Sequence, residues 1–304
     1  MSLRSILNLT GQGPVPCTEL MALRGVPFDL PTPDARLRAL AEGAAAPSAP
    51  LENLVGAQRA WTDWAEGMDF LVPGSPVYRQ KRLERDLYWR RWASRVPPGS
   101  RVLDLGGGIG RFTQLLLQQG CEVELVDPDR ESLRRAVWHA AGLPGALEVH
   151  WTTGEQLPEL APVDVVIAAE VFCYVEDPER TLANVRRVLK PGGPLLLSVE
   201  ARWGWALALD VPPGSLGTWL EDGVLRVEGD RWVRTYSRGD LESLLSGWRW
   251  EELTPTHYIC SGPFEAAAGD LEIAEVEALE ARLRTHPIAG PLHRAWTGVA
   301  VYNG

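Results

Sequence analysis

The sequence predicts an α/β protein built on a doubly wound, mostly parallel sheet. Three observations lead there. Short runs that are almost wholly apolar recur along the middle of the chain, helical stretches lie between them, and the first run breaks into glycines that open directly onto a helix. Runs this short and this apolar are strands buried on both faces. Strands alternating with helices pair in parallel, and their ligands lie beyond the carboxyl ends.

Residues 1–32 are rich in proline and glycine and read as an irregular arm. Asp34 can cap a short helix over 35–42, and residues 43–50, almost all Ala, Pro and Ser, read as a linker. The expected division is therefore an arm and linker over 1–50, N-terminal helices over 51–96, and one α/β domain over 97–304. Leu54, Ala57, Ala60, Trp61 and Trp64 recur at helical spacing, and a second helix is expected over 77–96, ended by Pro97-Pro98-Gly99.

The domain opens with a strand over 102–105 and a helix over 113–119. A second strand, 122–127, ends on an acid, a helix over 130–141 stops at Gly142, and strands follow at 147–150 and 163–169. A helix over 178–189 ends at Lys190-Pro191-Gly192-Gly193 and leads into a fifth strand, 195–199. Residues 201–235 carry Trp203, Trp205, Trp219 and Trp232 among glycines and prolines; they break the rhythm and read as an inserted cap. A helix over 240–245, a strand region over 248–258, a helix over 270–284 and a last strand over 297–302 bring the expected sheet to seven strands.

The chemistry gathers at the first glycine turn, Asp104-Leu105-Gly106-Gly107-Gly108-Ile109-Gly110. Glycines turn the chain sharply and let its backbone approach a ligand, while the helix N-terminus behind them offers unpaired N–H groups. A dinucleotide fingerprint does not fit, because its third glycine position falls on Arg111 or Thr113. Asp127 stands 23 residues after Asp104, at the tip of the second strand, where two carboxylate oxygens can accept from both hydroxyls of a ribose. The structural alternative for Asp127 is a turn acid in Asp127-Pro128-Asp129.

This stretch resembles the first motif of the class I S-adenosylmethionine-dependent methyltransferases. Further segments stand in that family's order: Asp127, Gly154-Glu155-Gln156-Leu157-Pro158, the run from Val163 to Glu170, and Leu189-Lys190-Pro191-Gly192-Gly193. Together they span about 101–199 and resemble the branch that includes quinone-biosynthesis and other small-molecule methyltransferases. The resemblance implies a seven-stranded Rossmann-like sheet and S-adenosyl-L-methionine as cofactor. It implies cofactor contacts from Asp104, Gly106, Gly107, Gly108, Gly110, Asp127, Pro128, Glu155, Gln156 and Glu170. Glu155 departs from the family's usual Asp, and Tyr174 stands where many relatives carry histidine. The flanks carry no motif of one family member.

A sulfonium donor arrives already activated, so the protein mostly aligns the acceptor and excludes water. Alignment can supply roughly 7–11 kcal/mol, whereas a general base contributes about 10²–10⁴-fold. If a base is used, Tyr174 and His257 are the candidates, each near a strand end. Arg202 can pair a substrate carboxylate, Tyr258 stands with His257 before a loop that can face the pocket, and Trp61 and Trp64 with Trp203, Trp205 and Trp219 can line an aromatic acceptor cavity beneath the cap. Each has a structural alternative: a surface salt bridge for Arg202, core packing for the aromatics, a structural imidazole for His257. His139, His150, His286 and His293 read as packing or surface residues.

The formal charge of −10 and pI near 5.1 argue against nucleic acid as partner. The four cysteines are scattered without metal-ligand spacing, so no metal is expected and buried free thiols are. Residues 1–13 make a poor signal peptide, and no apolar run has the length of a membrane span. The expectation is a cytoplasmic monomer or homodimer that methylates O, N or C of a small-molecule acceptor. The alternatives are a peptide or protein acceptor, RNA less readily, a nucleoside-binding scaffold without catalysis, and a nicotinamide oxidoreductase, which the glycine spacing opposes.

Overall fold

The computed structural model describes residues 69–72, 75, 77–204, 217, 219, 221–226, 232–260 and 271–303. Trp61, Trp64, Trp205 and the expected arm, linker and first helix lie outside them. The parallel core begins with β1 (Arg101–Leu105), β2 (Glu122–Asp127), β3 (Ala146–Trp151), β4 (Val165–Ala169) and β5 (Pro194–Glu200). After them come a short hairpin, β6 (Val224–Arg226) with β7 (Trp232–Arg234), and then β8 (Trp248–Thr256) and β9 (Ala295–Tyr302). The main sheet runs β3-β2-β1-β4-β5-β9-β8, with β9 antiparallel to both neighbours. Strand order reverses between β1 and β4, and at such a switch point a crevice opens at the strand tips.

Both faces of the sheet are buried, and the two-residue period shows how. Leu103 and Leu105 of β1 enter one core with Val166 and Ala168 of β4 and Leu195, Leu197 and Val199 of β5. Val102, Val165, Ile167 and Leu196 point the other way, into a second core beneath Phe112, Leu116 and Leu117. The helices that cover these faces are α1 (Tyr78–Trp92), α2 (Thr113–Gln118), α3 (Arg130–Ala140), α4 (Pro178–Val188), α5 (Arg238–Leu244) and α6 (Ile273–Thr285).

Local chemistry sets their starts. Asp129 accepts the N–H groups of Glu131 and Ser132 at the head of α3, Asp177 accepts that of Arg180 with Pro178 in the first turn of α4, and Ser237 and Asp240 form a capping box on α5. On α1, Leu83 and Leu87 pack on Tyr258, Ile259 and Val276, while Tyr88 and Trp92 reach the second sheet core. One helix thus ties α6 to the sheet.

The expected elements occur with shifted ends. The helix expected over 77–96 stops at Trp92 and tightens into a single 3-10 turn over Ala93–Arg95. Val163 lies two residues before β4 and makes only an isolated bridge to Leu189. The strand region expected to 258 ends at Thr256, because His257 takes a left-handed backbone. Within the expected cap, the hairpin β6–β7 is an addition that the glycine and proline content concealed. Cys121, Cys173 and Cys260 are free and buried, as expected; Cys17 lies outside the described residues. No helix among the described residues is long and apolar enough to cross a membrane.

Candidate active site

The crevice at the tips of β1 and β2 is built by the glycine turn. Gly106, Gly108 and Gly110 all have positive φ, at 64°, 55° and 87°. A Cβ at Gly106 would stand 2.5 Å from Val171 Cγ2, and one at Gly107 would stand 2.3 Å from Leu125 Cδ1. At Gly108 the corresponding space is open, with Asp127 Oδ2 the nearest atom at 4.0 Å. The turn is packed against the protein on every side but one.

Two acids hold that open side. Asp104, at the end of β1, is 1 % exposed and accepts the Thr113 hydroxyl at 2.6 Å, which joins β1 to the head of α2. Asp127, at the end of β2, accepts the Gly108 N–H at 2.9 Å on one oxygen and the Asp129 N–H at 2.8 Å on the other. Burial raises both acids, Asp104 to about 6 and Asp127 to about 7, with the neighbouring Asp129 adding to the second. Asp127 is a turn acid as well as a candidate ligand; the two readings coexist.

Other predicted residues are more committed. Glu155 Oε1 accepts the N–H of Glu176 at 2.7 Å and that of Asp177 at 3.4 Å, bracing the loop after β4. The Pro128 carbonyl accepts the Trp151 indole N–H at 2.7 Å, and Gln156 is exposed. Tyr174 packs half-buried against the core. Arg202 forms a 2.7 Å ion pair with Asp240, and Trp203, 53 % exposed, meets Trp219 edge-on. Tyr258 is fully buried and donates its hydroxyl to the Gly290 carbonyl at 2.8 Å. Arg202 thus has one terminal nitrogen in a salt bridge while its Nε is buried without a partner, and the Tyr258 hydroxyl is committed to Gly290.

Beyond the tip of β4 stands a cluster that the motifs did not announce. Tyr88 donates its hydroxyl to Glu170 Oε1 at 3.2 Å, and Arg111 lies 3.6 Å from Glu170 and 3.8 Å from Glu84. Lys81 pairs with Glu84 at 2.7 Å, and Arg294 pairs with Glu200 at the tip of β5. Three carboxylates thus stand among three cations, with Glu84 and Glu200 buried and the rest half-buried. Burial works to raise Glu170, but Arg111, Lys81 and Arg294 outweigh it and hold the carboxyl well below its usual range. Glu84 and Glu200 go the other way, with burial first among the causes. His257 lies on the face of Tyr88 at 4.4 Å between ring centres.

Arg111 was visible in the sequence only as a spacer behind the glycines, and Tyr88 only as one residue of an amphipathic helix. Aromatic spacing on a helix signals core, and nothing in it marks a hydroxyl aimed at another element.

Known proteins are similar to the chain across this region. A family model described as a methyltransferase domain matches residues 78–248, more than half of the chain, including the glycine turn, Asp104 and Asp127 but not His257 or Arg294. The chain belongs to the S-adenosylmethionine-dependent methyltransferases. It is 37 % identical over 131 residues to an uncharacterized methyltransferase of Mycobacterium tuberculosis, a match covering 41 % of this chain and 51 % of that one. It is 32 % identical over 150 residues to the ubiquinone biosynthesis O-methyltransferase of Caulobacter vibrioides, covering 45 % and 59 %. The chain spans about half the length of the curated relatives it matches.

Among solved structures, an S-adenosylmethionine-dependent methyltransferase from Mesorhizobium loti superposes with a TM-score of 0.52 at 22 % identity, over 72 % of this chain and 99 % of that one. The Burkholderia thailandensis 1,6-didemethyltoxoflavin N1-methyltransferase gives the same TM-score at 17 % identity, over 86 % and 93 %. These likenesses show a shared fold. The residues present are compatible with the methyltransferase cofactor: the space beside Gly108 is open, and the buried carboxylates of Asp104 and Asp127 stand at the same turn.

Proposed function

We propose that this methyltransferase acts on a small organic acceptor that enters beside the tips of β4 and β5. In this reading Asp127 holds the ribose hydroxyls of the cofactor, and Asp104 with the Gly106–Gly110 turn holds its amino-acid end. The bound cofactor supplies a methyl group on a positively charged sulfur. The chain's own residues then orient and desolvate: Glu170, Arg111 and Tyr88 form a rigid wall, and the buried glycine turn excludes water from one side.

The observation that carries the acceptor class is the charge-balanced cluster of Glu84, Glu170, Glu200, Lys81, Arg111 and Arg294, in which Glu84 and Glu200 are buried and the other four half-buried. A protein or RNA acceptor calls for an open groove, and RNA for a basic one. The overall charge of −10 agrees with a small acceptor. So do the names of the ubiquinone and toxoflavin relatives. The test is incubation with methyl-tritiated S-adenosylmethionine and a cell extract separated into metabolite, protein and RNA fractions. Label in the metabolite fraction is expected; label confined to protein or RNA refutes the reading.

A further inference from the structure

The parallel strands β2 and β3 close one end of the main sheet, and their side chains alternate between its two faces. Leu125, Leu147 and Val149 pack under α3, against Leu133, Ala136 and Val137. Glu122, Glu124, Glu148 and His150 take the opposite face, with Arg101 of β1 reaching across to them.

The register sets Glu124 directly beside Glu148, and His150 follows two residues further along the same face. One ligand atom from each of the three, an imidazole nitrogen and two carboxylate oxygens, lies within 4.8 Å of the other two. His150 Nε2 is 2.6 Å from Glu124 Oε2. Two hydrogen-bonded strands thus bring an imidazole, a buried carboxylate and an exposed one to a single point.

The charges on this face do not balance. Arg101 pairs with Glu122 at 3.3 Å and with the other oxygen of Glu124, whereas Glu148 has no hydrogen bond or ion pair among the described residues. With His150 neutral, one guanidinium faces three carboxylates, a surplus of two negative charges. Glu124 is 4 % exposed, so little water is at hand to screen it.

We propose that Glu124 Oε2, Glu148 and His150 Nε2 bind one divalent metal ion of the zinc type, which fastens the edge strand β3 to β2. Its two charges cancel the surplus. A neutral imidazole with two carboxylates is a donor set for zinc, whereas magnesium and calcium take oxygen ligands. Three protein ligands leave the fourth corner of a tetrahedron to water. With bonds of about 2.1 Å, ligand atoms around tetrahedral zinc stand about 3.4 Å apart. The 2.6 Å contact therefore opens by under about 1 Å as the ion takes the place of the proton between Nε2 and Oε2, and the exposed Glu148 side chain swings in to complete the set. Arg101 stays on the other oxygen of Glu124 and orients that carboxylate, as outer partners of metal ligands do. The role assigned is structural: the ion sits on the body of β2, and Asp127 stands at the tip of the same strand.

The test is calorimetric titration of zinc chloride into the full chain at pH 7, after dialysis against a chelator and then against plain buffer, with thermal melts of the same samples. One saturable site is expected in the parent, with a melting temperature that rises on zinc addition. Glu148→Gln and His150→Gln are each expected to lower the affinity at least about tenfold, and His286→Gln, at an exposed histidine elsewhere, to leave it unchanged. Glu148→Gln, at an exposed position, decides the outcome if His150→Gln does not fold. Absence of a saturable site in the parent, undiminished affinity in a folded ligand variant, or an equal loss in His286→Gln overturns the proposal.

Discussion

Gly108 donates its backbone N–H to Asp127 Oδ2 at 2.9 Å, tying the turn after β1 to the acid at the tip of β2. The contact makes the two halves of the cradle one unit. It also separates the glycines by function. Gly108→Ala places a methyl in open space and carries chiefly the strain of φ 55°, roughly 1–2 kcal/mol. Gly107→Ala drives a methyl to 2.3 Å from Leu125 Cδ1 and 2.7 Å from the Asp104 carboxylate, an overpacking worth about 1–3 kcal/mol that also displaces a cofactor acid. Thermal melts are expected to fall further for Gly107→Ala, while S-adenosylhomocysteine titration shows Gly108→Ala folded but impaired in binding. Equal melts with intact binding in Gly108→Ala contradict the assignment of the open face.

Cofactor affinity should depend on pH through the same acid. Burial raises Asp127 to about 7, so the free protein carries that proton across most of the acid range. Ribose hydroxyls donate to the ionised form, so binding lowers this pKa and releases a proton. Affinity for S-adenosylhomocysteine therefore rises by up to about tenfold per pH unit toward pH 7 and levels above it. For the free protein, the stability tied to the neutral carboxyl is complete below its unfolded pKa near 3.9 and is lost as pH climbs through 7. Calorimetry in buffers of different ionisation enthalpy measures the released proton directly; a pH-independent affinity contradicts the role of Asp127.

Removing Arg111 should destabilise the fold in a pH-dependent way. Its guanidinium stands between Glu84 and Glu170, at 3.8 and 3.6 Å, and Glu84 is buried while Glu170 is half-buried. Arg111→Met removes the cation between them, with Lys81 still pairing Glu84, and is expected to cost about 1–3 kcal/mol, less than breaking a fully buried pair. Without the cation both carboxyl pKa values move up. The deficit is then smallest at pH 5 and grows toward pH 8, which urea titrations at the two pH values will show.

The segment 69–72 is held to α3 by one acid. Asp69 is 2 % exposed, accepts from His139 Nε2 at 2.8 Å and from Arg135 at 2.9 Å, and lies below its usual pKa even though burial works to raise it. Asp69→Ala strands a buried imidazole and is expected to cost about 1–3 kcal/mol. Faster proteolytic cleavage within 69–72 marks the release of this strap. An unchanged cleavage rate contradicts its anchoring role.

Much of the frame was legible because burial on both faces of a sheet makes the middles of β1, β4 and β5 short apolar runs, with polar residues such as Arg101, Asp104, Ser198 and Glu200 toward their ends. Asp104, the glycines and Asp127 were legible because a close backbone turn and a strand-tip acid each need a particular residue type. Tyr88 and Arg111 were not, since a hydroxyl aimed from one helix to another strand leaves no periodic trace. His257 and Tyr258 show the limit most clearly: both stood out as chemistry-bearing neighbours, and only the left-handed backbone of His257 sends one ring to Tyr88 and the other to Gly290. The hairpin β6–β7 escaped because its strands are three residues long.

The claim that everything rests on is that the Gly106–Gly110 turn and Asp127 grip the cofactor. Calorimetric titration of S-adenosylhomocysteine into the full chain and into Asp127→Ala tests it most directly. One site per chain is expected in the parent and an affinity at least tenfold weaker in the variant, from the loss of charged hydrogen bonds worth about 1.5–3 kcal/mol each. Absence of binding in the parent, or equal affinity in the two, contradicts it.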